Sequence, residues 1–366
     1  SLVICIYLYI FKGTAHFLVN ILSNITRDNH YIPRALLRRW TFDRNLVYAY
    51  RTLVPSESFP EWDLRHIRGI AYQRDLYTTF FRGEEVDTFE KWIKKEFEDP
   101  GLLVIRKLLD SSRLTPFDWQ CLTRFMVAQD VRTPFFFMES LKRWNFEIPA
   151  ALKYAIPPLL DNYRQVKTEF ITVDPIPKTN ALSEAFRIHV EPSPNAVSDP
   201  VTFVLEPISD RVLWISNIRR LLTTTVHKIC RLCWSVAEPY GSEEWPLTDN
   251  PVLRLNYYSP EKYDFGGGWD NKGSEIIMPI SPRHLMYAQV GINRPNRFPF
   301  SQQKTQIIQQ LLAEHAFRWI FMRQPTDWVA KYRPRMVDQK DFYAERQAWG
   351  QWHRQQLALE ARPPLP

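Results

Sequence analysis

The apolar positions of this chain change their period along its length. From Glu84 to Glu98, "EEVDTFEKWIKKEFE" spaces Val86, Phe89, Ile93 and Phe97 three and four apart, with acids early and lysines late. That pattern predicts an amphipathic helix aligned with its own dipole. "DPG" is expected to break it before a second helix in "LLVIRKLLD". Thr115 followed by Pro116 has the form of an N-cap and first helical position. This third helix is expected to run to about Asp130 and to resume beyond Pro134. Further helices are expected over Pro149 to Phe170, Ser209 to Ile229 and Phe300 to Arg323, with a polar helical tail from Asp338.

Strand patterns gather later. "NLVYAYRTL", Asn45 to Leu53, predicts one early strand, and "VPSESFPEWD" after it a loop. Beyond the middle, "CRLCWSVAEP", "PVLRLNYY", "EIIMPI" and "HLMYAQV" are short β-rich runs between turn residues. Residues 172–200, rich in Pro, Ser and Asn, suggest a linker or long irregular connection. The expected fold is α+β, mostly helical, with a small antiparallel sheet formed mainly by the later part of the chain. The expected organisation is an apolar extension over 1–27, one globular domain over 28–335 and the tail over 336–366.

Composition narrows the class. With 366 residues, 45% hydrophobic and 24% charged, the chain can bury one large core or two ordinary ones, which excludes wholesale disorder. Glycine is scarce at 11, and neither G-x-G-x-x-G nor G-x-x-x-x-G-K-[ST] occurs, so the common nucleotide folds are disfavoured. The net charge of +7 permits a nucleic acid or another anionic partner without demanding one. Four unevenly spaced cysteines do not form a secreted disulfide framework, so an intracellular, cytoplasmic setting is expected. The apolar stretch Leu2 to Leu22 approaches the roughly 20 residues of a membrane span but is interrupted by Lys12 and His16. Membrane association through residues 1–22 is therefore the less favoured reading.

Four segments could carry chemistry. In "DNHYIPRALLRRW", His30 offers a near-neutral pKa, and Arg38 and Arg39 could hold phosphate or carboxylate; the bland alternative is a helix capped by Asp28 or Asn29. In "AQDVRTP", Gln129 and Arg132 lie three apart on one helical face and could clamp an anion, or Arg132 could simply satisfy helix-end carbonyls. In "PLTDNPV", Asp249 is a base or metal ligand on a rigid turn, or one half of an ordinary Asx-turn with Asn250. "HKICRLC" spaces His227, Cys230 and Cys233 three apart but lacks the fourth ligand of a structural zinc site. Glu90 lies on or near the apolar stripe of its helix and is expected to be half-buried, and "FGGGWD" is a loop tip.

The order of "HYIP…LLRRW", "NLVYAY", "IRGIAYQRDLYT", "AQDVRTP", "LTDNPV", "MPISPRHLM" and "IIQQLLAEHAFRWIF" resembles the family called domain of unknown function 4238, over about residues 28 to 330. Its members typically open with His-His-Tyr-x-Pro and carry Gln-x-x-Arg-Thr-Pro, Ser-Asp-x-Pro and Pro-Leu-Ser-Pro motifs. This chain departs from them with Asn29, Thr248 and Ile280. The resemblance implies no activity, but it implies that the polar segments belong together as one site. Two readings follow. In the first, the chain is an enzyme acting on a phosphate-bearing substrate, nuclease-like and possible with a divalent metal. His30 or Asp249 would be catalytic, and Tyr31, Arg38, Gln129, Arg132 and Asn250 would hold substrate. In the second, the same residues form a structural network in a binding or regulatory module. Convergence of His30, Arg132 and Asp249 in one pocket would favour the first.

Overall fold

A computed structural model describes residues 25–43, 45–148, 186–192, 201–259 and 262–362. The helix expected over Pro149 to Phe170 and the apolar segment 1–24 lie outside them. Strand is far more extensive than the sequence pattern suggests. Among the described residues helix and strand are both extensive, so the fold is mixed α+β rather than mostly helical with a small sheet. Six sheets occur among the described residues. The largest has six strands in the order Lys262–Asp264, Leu253–Ser259, Glu275–Ser281, His284–Gln289, Trp234–Glu238 and Arg297–Pro299. Its last pair is parallel and the rest antiparallel.

The second sheet explains the underestimate. It joins Leu247–Thr248, Trp319–Met322, Leu46–Arg51 and Trp62–His66, drawing strands from both ends of the chain. Trp62–His66 has only half-buried and exposed positions, so it lacks the strong alternation that marks a strand in sequence. Trp319–Met322 lies within the helix expected over Phe300 to Arg323, which stops at His315. The cause is tertiary. Ala316 turns to an extended ψ of 134°, and the amides of Phe317 and Arg318 donate to Asp249 instead of to the preceding turn. Pairing with Leu46–Arg51 then draws the segment into the sheet. Residues 186–192, inside the expected linker, likewise pair with 201–207 as an antiparallel hairpin.

The helical half follows the apolar stripes more closely. Residues 84–86 form a short strand, and the helix begins at Thr88. It passes through a π segment, Lys94–Glu98, into the helix Asp99–Leu109, so "DPG" does not break it. A π turn shifts the hydrogen-bond ladder by one residue, and Pro100 then falls in the first turn of the continuing helix, where no donor is needed. Gly101 permits the crossing of the next helix: a Cβ there would meet the Phe125 side chain at 2.3 Å. Thr115 caps Pro116–Val131 in a reciprocal box with Asp118, and helix resumes over 134–148.

The polar helix Gln339–Glu360 packs into this body rather than away from it. Trp352 meets Phe137 edge-on in the main core. Glu360 pairs with Arg211 through two 2.9 Å bonds, both side chains being buried. No described helix is long and apolar enough to cross a membrane.

Candidate functional site

The segment that opens the described chain forms one wall of a cleft. Asp28–His30 is a strand paired with Tyr72–Arg74, and neither Asp28 nor Asn29 caps the helix that follows. Pro33 stands at the N-cap of Arg34–Leu37, which tightens into a 3-10 turn, Arg38–Trp40. Leu36, Leu37 and Trp40 are buried, and Trp40 Nε1 donates to the Trp245 carbonyl at 2.8 Å. Arg34 and Arg38, one turn apart, are left on the outer face.

Alternation along the strand then separates two neighbouring residues. Asn29 is fully buried; its Nδ2 donates to the Thr26 carbonyl and its Oδ1 accepts from Tyr77 N, both at 3.1 Å. His30 lies on the other face, beside Tyr72 at 5.4 Å between ring centroids. The departure at Asn29 therefore falls behind the cleft, and the histidine that lines the cleft is present.

The cleft is a cavity of about 640 Å³. His30, Pro33, Arg34 and Arg38 form one side, Ile67 and Arg68 a second, and Glu90, Lys94, Glu98 and Leu102 a third. A second cavity of about 580 Å³ shares Ala35, Arg38, Asp99 and Leu102 with it and adds Arg39 and Arg106. Lys and Arg side chains outnumber Asp and Glu by five to four in the first cavity and by three to one in the second. Arg34, Arg68, Lys94 and Arg106 make no ion pair with any described carboxylate. Of the acids, Glu98 is already held by Arg132.

Polar atoms on three cleft residues are buried without a hydrogen-bond partner among the described residues: His30 Nε2, Glu90 Oε2 and Arg39 Nε. Such atoms are uncommon and each calls for an explanation. Burial, with a smaller contribution from nearby Arg34, lowers the His30 pKa below its ordinary value against the opposing pull of the Asp28 and Ile67 backbone, which favours the neutral imidazole. Burial pushes Glu90 up to about 7 against the opposing pull of Arg132, so its carboxyl is partly protonated at neutral pH.

The other expected site residues form the frame behind this cleft. Arg132 is fully buried: Nε donates to the Tyr31 carbonyl at 3.0 Å, Nη2 to the His30 carbonyl at 3.2 Å, and Nη1 to Glu98. Its guanidinium ties strand carbonyls, not the helix end; the Arg132 carbonyl itself is met by the Tyr77 hydroxyl. Tyr31 is buried, with its hydroxyl pKa well above the ordinary value for the same reason. Gln129 is fully buried, and neither end of its amide has a partner among the described residues.

Asp249 stands in a different part of the fold. Its Oδ1 accepts from Phe317 N at 2.9 Å and its Oδ2 from Arg318 N at 2.8 Å, a long-range clasp rather than a local Asx-turn. Burial raises its pKa to about 6 although those amides favour the ionised form. Asn250 Nδ2 contacts the His315 ring at 3.0 Å and the His315 carbonyl at 3.2 Å. His30 and Arg38 line the cleft; Tyr31, Gln129, Arg132, Asp249 and Asn250 do not. Arg132 reaches the cleft only through His30, Tyr31 and Glu98.

Sequence patterns passed over Arg34, Arg68, Lys94 and Arg106 as cleft residues. The four-residue spacing of Arg34 and Arg38 on a helix with a buried opposite face was the available signal; for Arg68 and Arg106 only the tertiary fold supplies it. No three His, Cys, Asp or Glu side chains among the described residues are grouped as metal ligands, and Cys230 and Cys233 are free thiols.

The family model described as protein of unknown function, DUF4238, matches residues 28–326, and the chain belongs to that family. No curated protein and no solved structure matches it. The cleft-forming strand and helix, the Arg132 frame and the Asp249 clasp all fall inside the matched residues, whereas the helix Gln339–Glu360 lies beyond them.

Proposed function

We propose that the protein acts on a phosphate-bearing substrate held in the cleft beside His30, in a nuclease-like reaction. The observation that carries this reading is the coincidence of a buried histidine Nε2 that makes no well-formed hydrogen bond with a cavity of about 640 Å³ to which Arg34, Arg38 and Arg68 contribute. Arg34, Arg38 and Arg68 supply donors for phosphate oxygens, with the planar, always-charged geometry suited to them. His30, whose neutral form is favoured by burial, is the group able to take a proton from an attacking hydroxyl or water. Glu90, retaining its proton near neutrality, is the group able to return one. Such pairs of titratable groups with pKa values pushed apart are the usual arrangement for acid–base work.

The test is cleavage of single-stranded RNA and DNA by the full chain, with and without divalent metal, for wild type and His30→Ala. A loss of about 10²- to 10⁴-fold on substitution is expected for an acid–base group. Retained cleavage in the variant would remove His30 from the chemistry. Absence of both cleavage and binding of any phosphate compound would remove the reading.

One observation favours a non-enzymatic reading for part of the motif set. The bonds of Arg132 and Asp249 run to the protein's own groups, as a buried structural network requires. On that reading the network organises the junction of helices and sheets, and the cleft binds without turning over. Tight phosphate binding with no cleavage under any metal condition would favour it.

A further inference from the structure

The first cavity leads into the second, and the junction has a distinct composition. Ala35 and Leu102 line both, together with Arg38 and Asp99. Beyond the junction stand Arg39 and Arg106. They lie close enough that Arg106, added to burial, lowers the Arg39 pKa. Arg39 is half-buried, its Nε has no partner, and it makes no ion pair with a described carboxylate. The acid facing this cavity is Asp99, which is exposed and opposes an anion. Arg106 is exposed and hydrated, so the unfavourable feature is the buried Arg39 Nε without an acceptor, which an external anion bound between the two arginines would supply.

We propose that Arg39 and Arg106 form a second phosphate subsite, so that the ligand of the cleft is an organic molecule with two phosphate groups separated by an uncharged spacer. This rests on the reading of the His30 cleft as a phosphate site and adds the class of molecule that fills it. The spacer follows from the junction. A ligand charged along its whole length, such as inorganic polyphosphate, would set anionic groups against the Asp99 carboxylate as well as Ala35 and Leu102, with Arg38 the single favourable partner there. A sugar or short organic segment between phosphates would set apolar surface there. A phosphodiester strand and a free bisphosphorylated nucleoside share that chemistry.

The experiment is competition against a fluorescent short oligothymidylate bound to the full chain, read by anisotropy. The competitors are thymidine monophosphate, thymidine bisphosphate, an unlabelled dinucleotide and inorganic tripolyphosphate. Thymidine bisphosphate is expected to compete about tenfold better than the monophosphate, the gain of one additional charge-assisted contact. In Arg39→Gln and Arg106→Gln that gain disappears while the monophosphate competes as before, and the salt slope for the oligothymidylate falls by about 0.7 for each lost contact. If the dinucleotide matches the bisphosphate, a strand is the source; if it competes no better than monophosphate, a free bisphosphorylated ligand is. Equal competition by mono- and bisphosphate, or tripolyphosphate competing best, would overturn the second subsite and leave the first. Failure of every phosphate compound to bind, with Arg39→Gln shown by thermal melting to be folded, would overturn both.

Discussion

At Asp249 both carboxylate oxygens are occupied by the amides of Phe317 and Arg318; at His30 the buried Nε2 makes no well-formed hydrogen bond, and a cleft carrying Arg34, Arg38 and Arg68 lies beside it. The two residues come from short polar segments of the same kind, each with a turn-forming proline nearby. The difference shows that a family's polar motifs can divide their work. Arg132 and Asp249 spend their charge on the protein's own backbone and fix where strands and helices meet. His30 is fixed by that framework, because Arg132 holds its carbonyl, while its Nε2 makes no well-formed hydrogen bond. Convergence of His30, Arg132 and Asp249 in one pocket does not occur; instead Arg132 stands directly behind His30, and Asp249 organises a separate corner.

The sharpest way to break this comparison is to substitute its framework side. Arg132→Gln should lower stability by about 3–5 kcal/mol, since it leaves Glu98 and two strand carbonyls without their buried partner. Thermal or denaturant unfolding measures it, and a change within the range of an ordinary surface substitution would show that the network is not structural. Asp249→Ala should cost about 2–4 kcal/mol, because two partly buried amides lose their acceptor together. The helix after Ser301 should then fray or lengthen beyond His315, an effect visible in hydrogen exchange of Phe317 and Arg318.

Glu90 sharpens the cleft side. Its carboxyl titrates near 7 in the folded chain against about 4.5 in the unfolded one. The stability that its neutral form contributes is therefore complete below about 4.5 and is lost as pH rises through about 7. Glu90→Gln should remove that pH dependence and stabilise the protein above pH 7 by roughly 1–3 kcal/mol. Unfolding measured at pH 5 and pH 8 decides, and an equal effect at both would place the carboxyl outside the buried environment. By contrast His30→Ala, with no strong bond to lose, should change stability by about 1 kcal/mol or less. A loss as large as that of Arg132→Gln would make His30 part of the frame. The smallest effect is on titration: Arg34→Gln should move the His30 pKa upward, as followed by NMR of the imidazole ring, because Arg34 holds it down through space.

Much of this architecture is legible in the sequence where local rules govern. Thr115 and Pro116 announced a helix start, and the capping box is present. The four β-rich runs between Cys230 and Val290 became strands of one sheet. The apolar spacing of Leu36, Leu37 and Trp40 in "ALLRRW" is that of one buried face, and all three are buried. The misread segments were those where a distant partner overrode the local pattern. "AFRWIF" continues an apolar stripe, yet Asp249 and Leu46–Arg51 together make its end a strand. "DPG" carries two helix breakers, yet a π turn and the close approach of Phe125 absorb both. "FGGGWD" appeared to be a loose tip, but Gly267 lies so near Leu255 that a Cβ would come within 2.5 Å of its backbone.

The chain by itself determined which residues could bear charge, where apolar faces lay and which helices began with a cap, because these depend on neighbours a few positions away. It also set the order of motifs that marks the family. Only the tertiary structure decided which charges are spent and which are free. Arg132 and Arg34 are the same residue type, but one is enclosed by carbonyls more than a hundred positions earlier and the other faces a cleft. Hydrogen-bond saturation is a property of what folds around a side chain, and that is set by contacts between segments far apart in the chain.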